Sequence, residues 1–599
     1  MIATEPKASL KGGEFLIKET DAAQVFIPEE FTEEQQMIAA TCREFLEREI
    51  WPRLDEIDHA KSPELIASLM DKAGELGLLG TSVPEEFGGF GMNFNTSMLV
   101  TEVTGAGHSF SVALSAHTGI GTLPIVYYGN DEQKAKYLPK LATGEWKAAY
   151  CLTEPDSGSD ANSGKTKAKL SDDGKYYLIN GQKMWITNGG FADVLIVFAK
   201  IDEDKNLSAF IVEKDFGGIT MNEPEHKMGI KGSDTRQLFF NDCPVPTENL
   251  LSTRGNGFKI AVNILNIGRI KLGTAAVGGA KAVINNAIRY ANERKQFGTS
   301  LATFGAIKHK LAEMAVKAYA CETACYRAGQ NIDDLIESLK ASGLSDADAK
   351  LKALEQFAIE CAMMKVHGSE MLDYVVDEGV QVYGGMGYSA DAPMDRAYRD
   401  ARINRIFEGT NEINRMLTID MILKRTMKGE LDLMGPAMAV SKEILSIPDF
   451  SADEEDVLFA AEKKVLRNLK KAVLMVAGAA VQKFMMKLSD EQEILMNLAD
   501  MVIELYVAES VLLRVEKLIG QQGEAAVALP KDLALVYLHE AVEKVNNAGR
   551  AAITSFAEGD ELRVMLMGLK RFTKIEPMNL KDARRRIADA MIAENKYIF

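Results

Sequence analysis

Residues 176–201 read YYLINGQKMWITNGGFADVLIVFAKI. β-Branched and aromatic residues alternate here with polar ones, a pattern typical of half-buried strands. LSAFIVEKD (207–215) and RQLFFNDCPVP (236–246) show the same pattern, and Gly, Asn and Asp clusters lie between the three stretches. Together they predict a compact middle β domain of several short strands over residues 149–251.

Helical periodicity lies on both sides of this β domain. FTEEQQMIAATCREFLEREI (31–50) begins with Thr32 as the expected N-cap, and acidic residues follow in the first turn. The pattern fills 31–148 and returns over 252–424 with apolar residues at three- and four-residue steps. The sequence therefore predicts a mainly α protein with a middle β domain.

The remaining segments extend this plan at both ends. Residues 1–30 are expected to be an N-terminal extension, and 455–599 to form a C-terminal helical domain. Residues 425–454 are expected to be a linker with a short amphipathic piece, because Pro436, Pro448 and an acidic run interrupt the periodicity.

Bulk composition excludes several classes of protein. The 599 residues carry a net charge of −17, which argues against nonspecific nucleic-acid binding because such binding needs clustered cations. Six cysteines are too few for a disulfide framework and indicate a reducing compartment. Cys321 and Cys325 share one helix face but lack a second ligand pair, so burial is favoured over metal binding and no metal site is predicted.

The N-terminus and the apolar runs bear on location. No secretion signal is recognisable, and the longest apolar run, AVLMVAGAAV (472–481), is about half of a bilayer span. We expect a cytoplasmic, prokaryotic protein that is at most peripheral at the inner face of the membrane.

RIFEGTNEINR (405–415) places one acid between apolar residues and a loop. Glu408 follows Ile406 and Phe407 and precedes Gly409-Thr410, which are poor helix formers. The carboxylate is either a solvated loop acid or a group held against a reacting centre, and Glu408 alone does not decide between them.

Two segments around the β domain are candidates for holding a ligand. CLTEPDSGSDANSG (151–164) exposes backbone N–H groups that could cradle a phosphate, although a plain turn would look the same. In KMWITNGG (183–190), Trp185 and Thr187 are expected on one side of a strand, where they would suit one face of a flat heterocycle. An ordinary buried Trp is the alternative.

Two helical segments offer similar choices. ERKQFG (293–298) contains an Arg that can bind a diphosphate, or it is a solvated helix end. QVYGGMGY (381–388) allows close backbone approach, or it is a helix–helix turn. It lacks the preceding strand that a dinucleotide fingerprint needs.

The order and wording of these segments, together with RDARINRIFEGTNEI (399–413), resemble the acyl-CoA dehydrogenases over roughly 31–424. That resemblance implies a helical N-terminal domain, a β-barrel-like middle domain and a four-helix bundle. The chain continues beyond 424, as in the very-long-chain branch of the family with its extra C-terminal domain.

The resemblance also implies a reaction and the residues that perform it. The family binds FAD and converts acyl-CoA to trans-2-enoyl-CoA; Glu408 matches its catalytic base, with Ile406 and Phe407 expected to desolvate the carboxylate. Gly268 matches the base position of some branched-chain members. The implied cofactor-binding residues are Tyr150, Leu152, Thr153, Gly158, Ser159, Trp185, Thr187, Arg294, Gln296, Phe297, Gln381, Gly384, Gly385, Thr410 and Asn411. The implied substrate-binding residues are Ser159, Asn266, Arg269 and Ala116.

Partners and specificity follow from the same resemblance. Arg294 and Gln296 resemble residues that reach FAD from a neighbouring subunit, which implies a homodimer. Val112, Ala116 and Gly121 match the floor of the acyl pocket and favour long-chain fatty acyl-CoA of β-oxidation, with an electron-transferring flavoprotein as acceptor. Two alternatives stay open: an acyl-CoA oxidase using O₂, and an assembly or interaction protein on the same scaffold. In the very-long-chain branch, a segment near the start of the extra C-terminal domain contacts the membrane. Its counterpart here lies near 427–448 and is expected either to contact the membrane or only to pack against other helices.

Overall fold

The computed structural model describes residues 10–60, 62–444, 446 and 458–599. Helices come first, strands follow, and two further groups of helices complete the chain. The predicted fold class is therefore confirmed. Pro448 and the acidic run of the predicted linker lie outside the described residues.

The N-terminal domain begins with a capped helix. Thr32 caps the first helix as expected, since its side chain accepts from the N–H of Gln35 and the Gln35 side chain accepts from the N–H of Thr32. The helices are α1 (Glu33–Phe45), α2 (Leu54–Asp58), α3 (Glu64–Glu75), α4 (Phe94–Thr104), α5 (Ser109–Ser115), α6 (Leu123–Tyr128) and α7 (Asp131–Thr143).

The β domain is one eight-stranded sheet. Its strands are β1 (Ala148–Cys151), β2 (Lys167–Leu170), β3 (Tyr176–Thr187), β4 (Val194–Ile201), β5 (Ser208–Glu213), β6 (Ile219–Met221), β7 (Thr235–Pro246) and β8 (Leu250–Leu251). The order is β6-β7-β3-β2-β4-β5-β8, and β1 pairs in parallel with β4. β4 is buried along almost its whole length, which matches its continuous apolar run.

The second group of helices forms the centre of the molecule. It contains α8 (Gly257–Glu293), the short hairpin β9 (Lys295–Gln296) and β10 (Thr299–Ser300), α9 (Gly305–Ala341), α10 (Asp346–Gln356), α11 (Ala358–Tyr383), α12 (Pro393–Ala401) and α13 (Asn411–Met427). α8 and α11 cross in backbone contact at Gly273 and Gly368: a Cβ on Gly368 would lie 2.6 Å from the Cα of Gly273. This close crossing brings the middle of α8 and the middle of α11 together.

The C-terminal helices pack on α9 through buried charges as well as apolar contacts. They are α14 (Met434–Ile444), α15 (Ala460–Phe484), α16 (Gln492–Gln522), α17 (Ala528–Phe556), α18 (Gly559–Phe572) and α19 (Leu580–Glu594). Arg514 on α16 pairs with Glu322 on α9 at 2.8 Å, and Arg327 on α9 pairs with Glu509 on α16 at 2.8 Å. These pairs join the last domain to the bundle.

Among the residues that the structure describes, three helical stretches are long and apolar enough, by length and composition, to cross a membrane. In Ser109–Tyr128 and Gly257–Glu293, 72% of the most apolar window is buried by the rest of the chain. In Ala460–Asp490 the buried share is 39%, so its apolar surface is the most accessible of the three.

Candidate active site

Glu408 lies in a strained turn between a short 3₁₀ segment and α13. Its φ of 59° and the φ of 81° at Gly409 are both left-handed, a conformation that costs energy for a glutamate. The side-chain amide of Asn414 holds the turn by donating to the carbonyls of Glu408, Gly409 and Thr410 at 3.3, 2.8 and 3.0 Å. Strain held in place by a dedicated amide indicates a functional position.

The carboxylate of Glu408 points at α8 and leaves one oxygen without a partner. Oε2 is buried and makes no hydrogen bond in the described part of the chain. A Cβ on Gly268 would lie 2.6 Å from this oxygen, so the glycine makes room for the acid. The two positions that family members use for the base thus meet at one point.

The source of this burial differs from the expected one. Ile406 was predicted to desolvate Glu408, but its side chain is 49% exposed. The carboxylate is covered by α8, which lies 140 positions earlier in the chain at Gly268. The exposed Ile406 is thus not the main cover, whereas Phe407 is partly buried and its part in desolvating Glu408 stays a prediction.

Burial raises the pKa of Glu408 above its usual value, and the cations of Arg269 and Lys365 offset part of the rise. The hydroxyl of Tyr150 is also buried and has no hydrogen-bond partner among the described residues. Burial together with the charge of Glu408 keeps the pKa of Tyr150 well above the usual range. Two buried polar atoms without partners in one site indicate space for a ligand.

Arg269 connects α8 to the turn of the base. It is buried; its Nε donates to the carbonyl of Glu408 at 3.4 Å, and one terminal nitrogen donates to Oδ1 of Asn266 at 2.8 Å. Asn266 therefore orients Arg269. The predicted contact of each of these two residues with substrate stays a prediction.

Gly268→Ala should slow the reaction by about 100-fold, since the new methyl group displaces the Glu408 carboxylate by about 1 Å. The measurement is the rate of flavin reduction by acyl-CoA at saturating substrate. Gly520→Ala is the matched control, because a Cβ there meets no atom within 4 Å on another helix. An unchanged rate in Gly268→Ala would mean that the reaction does not depend on the observed position of the Glu408 carboxylate.

A buried ion pair shapes the predicted cofactor loop at 151–164. Nζ of Lys183 lies 2.6 Å from Oε1 of Glu154 and also donates to the carbonyl of Leu152 at 3.2 Å. The Glu154 carboxylate accepts from the N–H of Thr166 at 3.1 Å. Gly158 and Ser159 are exposed at the far end of the loop. The loop is thus anchored at its base and free to present its backbone at its tip.

Trp185 does not follow regular strand alternation. A β-bulge separates the pairs Lys183–Leu238 and Ile186–Arg236, and Trp185 within it has a φ of 59°. The Trp185 side chain is 53% exposed and that of Thr187 is partly exposed, whereas Ile186 is buried. Trp185 is therefore not an ordinary buried Trp, and the bulge presents it to a ligand or partner.

The remaining cofactor candidates lie on the surface. Phe297 and Gly298 form the two-residue turn between β9 and β10 with φ of 52° and 78°, and the Phe297 side chain is 95% exposed. Arg294 and Gln296, beside this turn, are exposed as well. A Cβ on Gly384 or Gly385 would meet no atom within 4 Å, and Gln381 precedes them on α11. One protomer leaves these groups uncovered.

Asn411, a predicted cofactor-binding residue, lies in a buried hydrogen-bond network. Its side chain is 2% exposed; its Nδ2 donates to Ser369 and Glu370 at 3.0 Å, and its Oδ1 accepts from Lys365 at 2.7 Å. The hydrogen-bonding capacity of its side chain is used inside the protein, and its role in binding the cofactor stays a prediction. The hydroxyl of Thr410 caps α13 by accepting from the N–H of Ile413.

Comparison with known proteins decides the family. A probable acyl-CoA dehydrogenase of Bacillus subtilis is 44% identical over 587 residues, which is 98% of each chain. The chain belongs to the acyl-CoA dehydrogenase family. The family's N-terminal, middle and C-terminal domain models match residues 32–145, 149–243 and 255–423, and another C-terminal domain model matches 468–571.

Solved and curated relatives extend this assignment. An acyl-CoA dehydrogenase from Bacillus anthracis, crystallised with FAD, matches with a TM-score of 0.94 and 45% identity, covering 99% of this chain and 100% of that one. The human mitochondrial very long-chain specific acyl-CoA dehydrogenase is 37% identical over 516 residues, 80% of this chain and 74% of its own. The protein is an acyl-CoA dehydrogenase with FAD as cofactor, and its resemblance to the very-long-chain branch is confirmed.

The residues of this acyl-CoA dehydrogenase fit a flavin. In the described part of the chain, the Tyr150 hydroxyl and Oε2 of Glu408 are buried without a hydrogen-bond partner. Trp185 is exposed, and Gly384 and Gly385 leave open space for a ligand. The cradle would consist of the loop 151–159, Trp185 and Thr187, with Arg294 and Gln296 reaching a diphosphate.

Sequence reasoning missed three residues of the acyl-CoA dehydrogenase site: Lys183, Asn414 and Lys365. Lys365 had a visible signal, since it is the lone cation in the apolar run CAMMKV (361–366). No sequence signal marked Lys183 or Asn414. A lysine on a strand and an asparagine on a helix are usually surface residues, and only their partners in the structure show that these two are not.

Proposed function

We propose that the protein catalyses α,β-dehydrogenation of long-chain fatty acyl-CoA to trans-2-enoyl-CoA in fatty acid β-oxidation, with electrons passed to an electron-transferring flavoprotein. The observation that carries the proposal is the buried, unpartnered Oε2 of Glu408. Such an oxygen is suited to taking a weakly acidic proton from carbon.

The chain's own groups account for the proton chemistry. Glu408 removes the α-proton of the thioester, and its raised pKa makes the carboxylate a stronger base. Negative charge then develops on the thioester oxygen, and the family resemblance assigns the backbone N–H of Glu408 to stabilise it. Acceptance of the β-hydrogen as hydride is the chemistry that bound FAD supplies.

A cavity supports the preference for long chains. It has a volume of about 110 Å³ and is lined by small residues of α8, among them Ala276 and Gly279, and by Val112 of α5. Ala276 lies eight residues after Gly268, about 12 Å along the helix axis. We infer that an acyl chain passing the base extends along α8 toward this cavity.

The predicted floor needs one correction. Val112 lines the cavity, but Gly121 does not contribute depth: its Cα faces β1, where an added Cβ would lie 2.7 Å from the Cβ of Ala148. Gly121 is a packing residue. Ala116 is buried, and its predicted contact with substrate stays a prediction.

Val112→Phe should fill part of this cavity and shorten the accepted chain. We expect about a tenfold loss of kcat/KM for C16 acyl-CoA and little change for C8, since one bulky group in an apolar pocket discriminates by 10- to 200-fold. Gly119→Ala, on the same stretch and with open space around an added Cβ, is the control. Equal losses for both substrates would remove the cavity from the acyl path.

The main experiment is anaerobic addition of palmitoyl-CoA to the FAD-loaded protein. The absorbance band of the oxidised flavin should bleach within seconds of mixing. A protein without this activity should leave the band unchanged. Reoxidation then separates the candidates: fast recovery with an electron-transferring flavoprotein and slow recovery in air support the dehydrogenase. Fast recovery in air indicates an oxidase, and no bleaching indicates the interaction protein.

A homodimer is the assembly that the exposed cofactor segments support. Phe297 and Tyr388 are 95% and 90% exposed, so both side chains are free to contact a second protomer. Both lie in segments assigned to a partner's FAD. Sedimentation of the holoprotein at a mass of one chain would contradict this assembly.

Contact with the cytoplasmic face of the membrane is supported by exposed methionines. Met434 and Met438 on α14 and Met485 and Met486 at the end of α15 are exposed, and α14 packs against α15. Pro436 was expected to interrupt the helical pattern. It lies in the first turn of α14, where proline is tolerated, and the helix continues past it. Flotation of the protein with lipid vesicles tests this contact. A protein that does not float with vesicles of any charge would exclude membrane contact.

A further inference from the structure

A second buried cation lies close to the base and has no role in the chemistry described above. Lys365 on α11 is 0% exposed, and its Nζ donates to Oδ1 of Asn411 at 2.7 Å. Within the described part of the chain, no carboxylate lies within 4.0 Å of that nitrogen. A buried amine without a counter-ion destabilises the fold, which indicates that the charge serves another purpose.

The hydrogen bond to Asn411 links Lys365 to the turn of the base. Asn411 is the first residue of α13 and follows Glu408 by three positions. Its amide also donates to Ser369 and Glu370, both on α11. α11 therefore fixes the start of α13, and with it the strained turn that carries Glu408.

The surrounding charges leave Lys365 acting mainly on Glu408. Glu370 is paired with Arg415 at 2.7 and 2.8 Å, and Arg415 also binds Asp500 of α16 at 2.7 Å. Glu412 is exposed to solvent. Arg269 on α8 is the other cation facing the site, and it is occupied by Asn266 and the backbone of Glu408.

We propose that Lys365 is a positioning residue that holds the turn of the base through Asn411 and keeps Glu408 ionised in the resting enzyme. The inference rests on the proposed function, because it assumes that Glu408 removes the proton. Burial lowers the pKa of Lys365 to about 8, opposed by the charge of Glu408, so the amine is protonated at neutral pH.

The test is the pH profile of anaerobic flavin reduction by palmitoyl-CoA in the holoenzyme. Lys365→Met should be about tenfold slower than wild type on the acid side, because loss of the cation favours protonated Glu408. The gap between the two rates should narrow above about pH 9, where Lys365 of the wild type is itself neutral, and the constant gap that remains measures the lost hydrogen bond to Asn411. Lys365→Arg keeps the charge and should retain the wild-type acid limb.

Lys365→Gln separates charge from anchoring, since its amide can still donate to Asn411. If charge matters, Gln behaves like Met. A loss of equal size at every pH, or an Arg variant that shifts like Met, would overturn the proposal. If Lys365→Met does not fold, the Gln and Arg variants decide the question alone. If palmitoyl-CoA does not bleach the flavin of the wild-type enzyme, the proposed function is refuted instead.

Discussion

Glu408→Gln should slow flavin reduction by acyl-CoA by roughly 10²- to 10⁴-fold, the range that a general base contributes. The amide has the shape of the acid but cannot accept the α-proton. It fits the same place beside Gly268, so the fold and the cofactor cradle should be unaffected. The measurement is stopped-flow absorbance of the flavin without oxygen.

Flavin content and thermal stability are the controls for this variant. Burial makes ionised Glu408 costly, so replacing it with a neutral amide should leave stability unchanged or slightly higher. Loss of FAD together with loss of rate would show that Glu408 holds the site rather than performs the reaction. A rate within twofold of wild type would mean that another group removes the proton.

Lys183→Met should destabilise the protein by about 3–5 kcal/mol, the cost of leaving one partner of a buried ion pair uncompensated. The Lys183 side chain is fully buried and that of Glu154 nearly so, and they lie 2.6 Å apart. Burial alone would raise the pKa of Glu154, but Lys183 holds it below its usual value. Without the lysine, the loop 151–164 should also loosen and FAD should bind more weakly.

Lys167→Met is the matched control, because its pair with Glu203 is exposed on both sides and should contribute less than about 1 kcal/mol. Denaturant unfolding and flavin titration of both variants make the comparison. Adding Glu154→Gln to Lys183→Met should recover part of the stability, since the uncompensated charge is then gone. Equal stability of the two single variants would contradict the structural role assigned to the pair.

Local pattern was sufficient for the order of domains. Alternation over 176–201 and the cap at Thr32 are determined by neighbouring residues, and both appear in the structure as strands and as a capped helix. Glu408 was also recognisable, because its segment resembles a family signature. These predictions needed no knowledge of contacts that are distant in sequence.

Side-chain environments were not predictable in the same way. The cover over Glu408 comes from Gly268 rather than from Ile406, and Asn411 is occupied by Lys365 and Glu370 on another helix. The bulge at Trp185 depends on pairing with β7. Each case is decided by residues far apart in the chain, whose spacing does not reveal that they meet.

Infrared titration of the Glu408 carboxyl tests the central claim most directly, with the difference between wild type and Glu408→Gln isolating its signal in the substrate-free holoenzyme. A buried base predicts a protonated-carboxyl band that persists above pH 4.5, the ordinary glutamate value. A carboxyl that ionises at or below that pH would contradict the raised pKa of Glu408 on which the account rests.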